Sequence, residues 1–530
     1  MAASDSMHTI RFWKRGEPWV WMTGAALSLV LLLMIGLVGV VVVNGMGMFW
    51  PSVVEEFRLA DGRVLIGDVT AEEDSHEGRR LQVHVGNRDT LPADFVWIRE
   101  SDITSRTIPE DVMVIERMEY GPYVGRLKGL EGIPNASEPW EALQQALVEL
   151  EPTRREVKVL TQDIRSETQA LEAVRLELKK METGSHVEAA AVLRTREEDL
   201  RSSCKLIEDS LTEARAKLQA VSALCVDASG RESTLALGHI VRVIRPNAMD
   251  VSDKVAYYAS RVRELLFDEP RECNTEGGLF PAIFGTVLMV VIMSVFSFPL
   301  GVLAGIYLRE YARDGVLVRV VRIAVNNLAG IPSIVYGIFG LGFFVYGVGG
   351  VIDSTFFPER ADAVFKTGGI LWASLTLSLL TIPVVIVATE EALSSVPRGM
   401  KEGSLSLGAT RFQTLLRVVL PMATPGILTG FILSMARAAG EVAPLMITGV
   451  VKLAPSLALD GSFPYIHLER KFMHLGFHIF DIAFQSPNIE AAKPMVYVTT
   501  FLLVALVLVM CSSAIWLRNR MKARFTLKDI

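Results

Sequence analysis

Six long apolar stretches decide what this chain can fold into. Each is long enough to cross about 30 Å of hydrocarbon as a helix rising about 1.5 Å per residue. They run over about 22–43, 282–308, 323–350, 368–389, 421–450 and 495–517. Hydrophobic residues make up 50% of the 530 and the mean hydropathy is +0.35, so these runs are membrane spans, not the cores of separate soluble domains. The fold class expected is an all-α polytopic membrane protein with six transmembrane helices and one large insertion after the first.

The bias of Lys and Arg in short loops orients the spans. Arg11, Lys14 and Arg15 precede the first; Arg309, Arg313, Arg319 and Arg322 cluster after the second; Arg398, Lys401, Arg411 and Arg417 follow the fourth; Arg518, Arg520, Lys522, Arg524 and Lys528 end the chain. The loop 351–367 holds only Arg360 and Lys366 against three carboxylates. Both termini (1–21 and 518–530) are therefore expected in the cytoplasm and 44–281 outside it. The first span exceeds a signal-peptide core and lacks a small-residue cleavage pattern, so it reads as an uncleaved anchor, with Trp19, Trp21 and Trp50 at its interfaces.

Within the insertion, β-branched runs separated by turn residues predict a β-rich unit over 57–130, with a further strand at about 238–246. Between them, Leu143, Leu150, Val157, Ile164, Leu171 and Leu178 recur every seven residues, and Leu193, Leu200, Ile207, Ala214 and Val221 resume the pattern. This predicts an antiparallel coiled-coil hairpin over 138–227, capped at Ser137, turning at Thr183-Gly184-Ser185 and protruding from the membrane. It is either a spacer or a docking arm; its sequence does not choose. Cys204 and Cys225 fall on one predicted helix too far apart to bridge and read as packing residues.

The net charge of −6 excludes a chain built to hold nucleic acid. Four scattered cysteines with no C-x-x-C pair exclude a disulfide framework or thiol exchange. There is no G-x4-G-K-[ST], H-E-x-x-H or G-x-S-x-G, so any ATP used is hydrolysed by another chain. His467, His474 and His478 have spacing that a helix would align, but their aromatic neighbours favour an amphipathic segment at the membrane surface over a metal site.

The cytoplasmic loop 390–421 reads as two short helices joined at Gly408, or as one amphipathic helix on the membrane. Its string Glu402-Gly403-Ser404, three residues to Gly408 (with Leu407 before and Ala409 after it), then Val418, Leu420 and Pro421, resembles the E-A-A-x3-G-x9-I-x-L-P coupling loop of ABC importer permeases. It departs at Gly403 and Ser404, where the family has alanines, and at Val418. Two intramembrane strings, Leu328 to Gly337 and Arg437 to Leu445, resemble those of the phosphate-specific importer permeases of the PstA type, with Val442 in place of Thr. The resemblance covers about 282–517 and leaves the insertion outside.

An unpaired charge at the depth of Arg437 costs at least about 3 kcal/mol, so Arg437 should face protein or water. Glu441, four residues on, is placed to pair with it. Either the two hold helices together, or Arg437 lines the translocation path and offers a donor fork to an oxyanion while Glu441 restrains it. Pro332, Ser333 and Gly337 read as helix-packing residues.

The resemblance implies the type I ABC importer permease fold, phosphate import across the inner membrane by alternating access, and no catalysis or cofactor on this chain. It also implies partners: a second permease subunit (PstC-like), a cytoplasmic ATPase dimer (PstB-like) binding ATP and Mg, and an extracytoplasmic phosphate-binding protein (PstS-like), with lipid around the spans. The rival readings are a permease for sulfate or molybdate, and a membrane sensor or scaffold working through the coiled coil.

Overall fold

The computed structural model describes residues 17–525 apart from 77, 90–92, 133–138, 183–186, 272–273, 359, 361, 462–464 and 487. The predicted cap at Ser137, the hairpin turn 183–185, Cys273 and both extreme tails lie outside the described residues.

Among the described residues six helices are long and apolar enough to span a membrane: Trp19–Gly47, Phe280–Tyr311, Ser333–Phe356, Ile370–Ser394, Arg411–Gly440 and Ile489–Met521. The fourth is the hub and is two-thirds buried inside the protein, whereas the first stands at the edge, mostly exposed and touching the last span near Gly45. The second packs along the fourth through small residues, and the fifth packs along the fourth beside it, Phe298 of the second meeting Phe431 of the fifth. A Cβ on Gly301 would lie 2.7 Å from Val385 Cβ, and one on Gly426 2.7 Å from Ala392 Cβ. Ser374 and Ser378 donate to the carbonyls of Met289 and Met293 at 3.3 and 3.0 Å. Lipid offers helices no hydrophobic reason to associate, so close approach and buried hydrogen bonds hold these spans together.

Two span assignments need correcting. The stretch 323–350 is not one helix: an amphipathic helix Val316–Leu328 ends before Pro332, and the third span starts at Ser333. Proline disfavours helical geometry in the residue before it and supplies no N–H, which separates the two. The stretch 421–450 is also broken, with its helix ending at Gly440 and a short helix Ala443–Thr448 following.

The insertion contains two antiparallel five-stranded sheets. The first takes β1 (Val54–Leu59), β2 (Val64–Ser75), β3 (Gly78–His84), β4 (Phe95–Arg99) and β5 (Ile103–Thr107) in the order β4-β3-β2-β1-β5. The second takes β6 (Met113–Arg117), β7 (Tyr123–Glu131), β8 (Ser222–Val226), β9 (Glu232–Ala236) and β10 (Ile240–Ile244) in the order β10-β6-β7-β8-β9. Val54 and Ile66 from the first pack with Val112 and Val124 beside the second.

Two long helices, Pro139–Glu182 and Val187–Gln219, emerge between β7 and β8, whose ends pair Glu131 with Ser222. Leu171, Val174 and Leu178 are buried on one helix, and Leu211, Ala214 and Leu218 on the other. The coiled coil thus interrupts the second sheet. It is shorter than 138–227: Val221 and Cys225 lie beyond the helix, and Cys225 is buried in β8, where burial pushes its thiol up to about 12 and leaves it inert. Nor does the hairpin simply protrude. Glu172, Arg175 and Leu176 face the loops at one end of the spans across a cavity.

The helix Val251–Phe267, opened by an Asp250/Asp253 capping box, carries the chain from the second sheet to the second span. Arg261 bridges Glu116 on β6 and Glu264 at 2.8 Å each, Tyr257 donates to Glu116 at 2.6 Å, and Arg271 pairs with Glu264 at 2.6 Å. Burial of Glu264 works to raise its pKa. The guanidiniums of Arg261, Arg271 and Arg242 outweigh it and hold the carboxyl below the usual range.

Candidate functional site

The two intramembrane strings meet in space. Tyr336, Ala438, Ala439 and Leu445 are buried in one cluster with Met289, Met293 and Leu377 from the second and fourth spans. A Cβ on Gly337 would sit 2.8 Å from Pro444 Cα, so the third span closes directly on the short helix after the fifth. Glycine is required there because any larger residue would push the two backbones apart. Pro332 and Ser333 play a different part from the expected helix-packing face. Pro332 caps the third span, its carbonyl accepting from Val335 N–H at 3.0 Å, and Ser333 is the first helical residue. Tyr336 donates its hydroxyl across the break to the Leu328 carbonyl at 2.8 Å.

Arg437 stands in the last turn of its helix, where the carbonyl end of the dipole favours a cation. Glu441 is not on the same helical face, as the unbroken pattern implied. It is the residue at which the helix stops, with extended backbone at φ −81°, ψ 126°. The pair forms all the same, Arg437 Nε lying 3.4 Å from Glu441 Oε1. With side-chain exposures of 37% and 22%, neither charge is sealed in the core. A single long contact leaves the two terminal guanidinium nitrogens free of Glu441, so the fork is restrained on one edge and open on the other.

At the far end of the spans, the helix Arg398–Ser406 stops at Leu407, and Gly408 takes the left-handed conformation (φ +85°) that favours glycine. A second short helix, Arg411–Thr414, opens with a Thr410/Gln413 capping box and runs through a wide turn, Leu415–Val419, into the fifth span at Leu420 and Pro421. Two departures from the family string have local reasons. A Cβ on Gly403 meets nothing within 4 Å, so the position is open to either residue. The Ser404 hydroxyl bonds the Thr414 hydroxyl at 2.9 Å, pinning one short helix to the other as alanine could not. Lys401 pairs with Glu310 at the end of the second span. Glu402, Gly403 and Gly408 are exposed, Ala409 is half-buried with its N–H on the Ser404 carbonyl at 3.3 Å, and Leu407 is 91% exposed.

Among the described residues the three histidines form no metal-binding cluster, and two of them are buried against the spans. His467 pairs with Asp460 at 3.0 Å and Glu469 at 3.3 Å. His474 and His478 are buried at one end of the helix Leu475–Phe484, against the second and last spans. Burial drives their pKa values down to about 3 and about 4, which keeps both rings neutral. Beside them, sequence reasoning missed Asp481, 2% exposed and held by Lys452 at 3.1 Å. The partners are 29 positions apart and no local pattern links them.

Residues 297–525 match the family described as binding-protein-dependent transport system inner membrane component. The chain is 34% identical over 227 residues to the phosphate transport system permease protein PstA of Yersinia pestis, covering 42% of this chain and 68% of that one. It is 31% identical over 255 residues to the probable ABC transporter permease protein YqgI of Bacillus subtilis, covering 47% and 81%. To PstA of Mycobacterium leprae it is 38% identical over 171 residues, covering 32% and 51%, so the chain spans about half the length of that relative.

Proposed function

This chain belongs to the binding-protein-dependent transport system inner membrane components, and we propose that it is the permease subunit of an ATP-driven importer of inorganic phosphate. The observation that carries the reading is the Arg437–Glu441 pair, set where the fifth span breaks and where the two phosphate-permease strings pack together. Arg437 presents a planar donor fork suited to a tetrahedral oxyanion, and Glu441 competes for the same guanidinium, which keeps the cargo weakly held and releasable. The naming of the Yersinia and mycobacterial relatives supports phosphate as that oxyanion.

In this reading the insertion faces away from the cytoplasm and both termini face into it. A second permease chain completes the path, a soluble binding protein delivers phosphate at the outer face, and a pair of ATPase subunits grips the exposed helix Arg398–Ser406 and the projecting Leu407. Closure of the ATPases on ATP pushes that helix. Lys401–Glu310 and Ser404–Thr414 pass the push to the second and fifth spans, and the path alternates between its two openings. ATP and Mg belong to the partner subunits, and no residue of this chain does covalent chemistry.

The test is labelled phosphate uptake by cells lacking their own high-affinity system and supplied with this chain and its partners, with sulfate and molybdate as competitors. Uptake should need ATP and resist both competitors. Arg437→Ala should lower uptake about 10- to 100-fold at equal membrane abundance, the loss of one charge-assisted contact of about 1.5–3 kcal/mol. Arg437→Lys should not restore it, since an ammonium lacks the fork. Unchanged uptake by Arg437→Ala would remove the pair from the path.

A further inference from the structure

A cavity of about 520 Å³ separates the distal part of the coiled-coil hairpin from the loops that cap one end of the permease spans. Its hairpin wall carries Glu172 and Arg175, roughly 50 Å along the helix from Pro139 at about 1.5 Å per residue. Its opposite wall carries Arg360, Asp362, Arg470 and Lys471.

Both walls are firm. The hairpin uses its apolar seam internally, and its base is fixed where Leu143 and Ala146 enter the core of the second sheet and Arg154 donates to the carbonyls of Leu237 and Ile240 at 2.7 and 2.5 Å. The loops form a knitted plate. Ile370 and Leu371 donate their N–H groups to Arg470 and Leu468 at 3.0 and 3.1 Å, and the Asp353 carboxylate accepts from Val364, Phe365 and Lys366. Gly369 N–H reaches the Thr448 carbonyl at 3.1 Å, joining the plate to the short helix that follows Glu441. The plate is thus tied to the segment that follows Glu441.

The slot is charged in a particular way. Arg175 and Arg470 are paired within their own walls, with Glu197 at 2.8 Å and with Asp460 at 2.5 Å. Glu172, Arg360, Asp362 and Lys471 are exposed and form no ion pair among the described residues. Unpaired charges of both signs suit neither lipid tails nor a small anion, but they do suit the edge of a soluble protein with opposing charges, whose encounter they would steer.

We propose that the hairpin arm and the outer plate are the two jaws of one docking surface, and that the soluble binding protein delivering cargo seats an edge in the slot between them. This rests on the permease reading above and assigns the insertion a partner. An arm anchored at its base and facing the plate across this slot is met by any protein that docks on the plate.

The excision that tests it can be read from the hairpin. The Arg175–Glu197 pair sets the register, so Ile164 and Glu208 stand level with one another. Deleting 165–207 and joining those positions with a short Gly-containing turn removes the slot wall and keeps the base. The full complex, with its partner permease and ATPase chains in lipid nanodiscs, is titrated with phosphate-loaded binding protein from the same organism. The short-arm complex should bind at least tenfold more weakly with basal ATP hydrolysis unchanged. Glu172→Lys and Lys471→Glu, both at exposed positions in a full-length arm, should each weaken binding about three- to tenfold and reduce its salt dependence. Equal binding by the short-arm complex and both charge reversals would overturn the docking role, and tighter binding by the short arm would show that the arm occludes the plate. Failure of the unaltered complex to bind the protein or respond to it would overturn the permease reading as well, so the two failures are told apart.

Discussion

The membrane core and the insertion solve the same packing problem with opposite materials. Between the second and fourth spans the contacts are glycines against side chains, Gly301 on Val385 and Gly305 on Thr389, with serine hydroxyls spending their hydrogen bonds on neighbouring carbonyls. Between the second sheet and the helix leading into the membrane, Glu116, Glu264, Arg242, Arg261 and Arg271 form a charged network beside apolar clusters. In water, burying apolar area is itself favourable by about 25 cal/mol per Å², and charges at the margin can be paired and partly solvated. In lipid, apolar contact gains nothing over the solvent, and a charge is costly, so shape has to do what hydrophobicity does elsewhere. The insertion should therefore be sensitive to charge and the core to volume.

The sharpest way to break that contrast is Glu264→Gln, which strips three guanidiniums of their buried carboxylate. It should cost about 3–5 kcal/mol at the junction, read as a lowered unfolding midpoint of the insertion with the spans still inserted. Gly301→Leu, which drives a side chain into Val385, should cost about 1–3 kcal/mol and lower the yield of assembled complex. If the charge change were mild and the volume change severe in the insertion as well, the contrast would fail.

The buried histidines set a third test. His474 and His478 have folded pKa values far below the unfolded value of about 6.5, so between those limits the unfolded state binds more protons and stability falls as the pH drops. The expected loss is about 1.4 kcal/mol per pH unit for each ring, from pH 6.5 downward. Thermal unfolding of the permease core should show that slope, and His474→Asn with His478→Gln should flatten it. Glu264 acts in a lower window: its depressed pKa gives stability that is present above about pH 4.3 and lost as the pH falls through its folded value.

Smaller still is Gly403→Ala, which should stabilise the helix Arg398–Ser406 by up to about 1 kcal/mol, since the space beside it is open, with coupling retained. Lys128→Ala, removing an exposed pair with Glu232, should leave the unfolding midpoint where it was.

Much of this was legible along the chain. The number of apolar helices follows from hydropathy, the heptad runs 143–178 and 193–214 fall inside the two hairpin helices, and both strings that carry Arg437 and Tyr336 could be picked out by inspection. The errors came where backbone geometry overrules composition. Residues 323–350 and 421–450 are each apolar enough on average to read as one span, yet Pro332 and the turn at Glu441 cut each into pieces that hydropathy cannot see. Val221 and Cys225 continue a heptad pattern on paper but are claimed by the sheet, because Glu131 to Arg126 on β7 needs a partner strand.

Sequence alone determined the number of spans, the heptad core of the coiled coil, the absence of catalytic motifs and the candidate ion pair, because these rest on residue type and short-range spacing. Tertiary structure alone decided that Gly337 closes on Pro444, that Asp481 is neutralised by Lys452, and that the hairpin faces the loops 360–367 and 455–471 across a cavity. Each of these joins residues tens to hundreds of positions apart. Local propensity acts over a turn or two of helix, whereas packing, which sets these contacts, depends on distance in space.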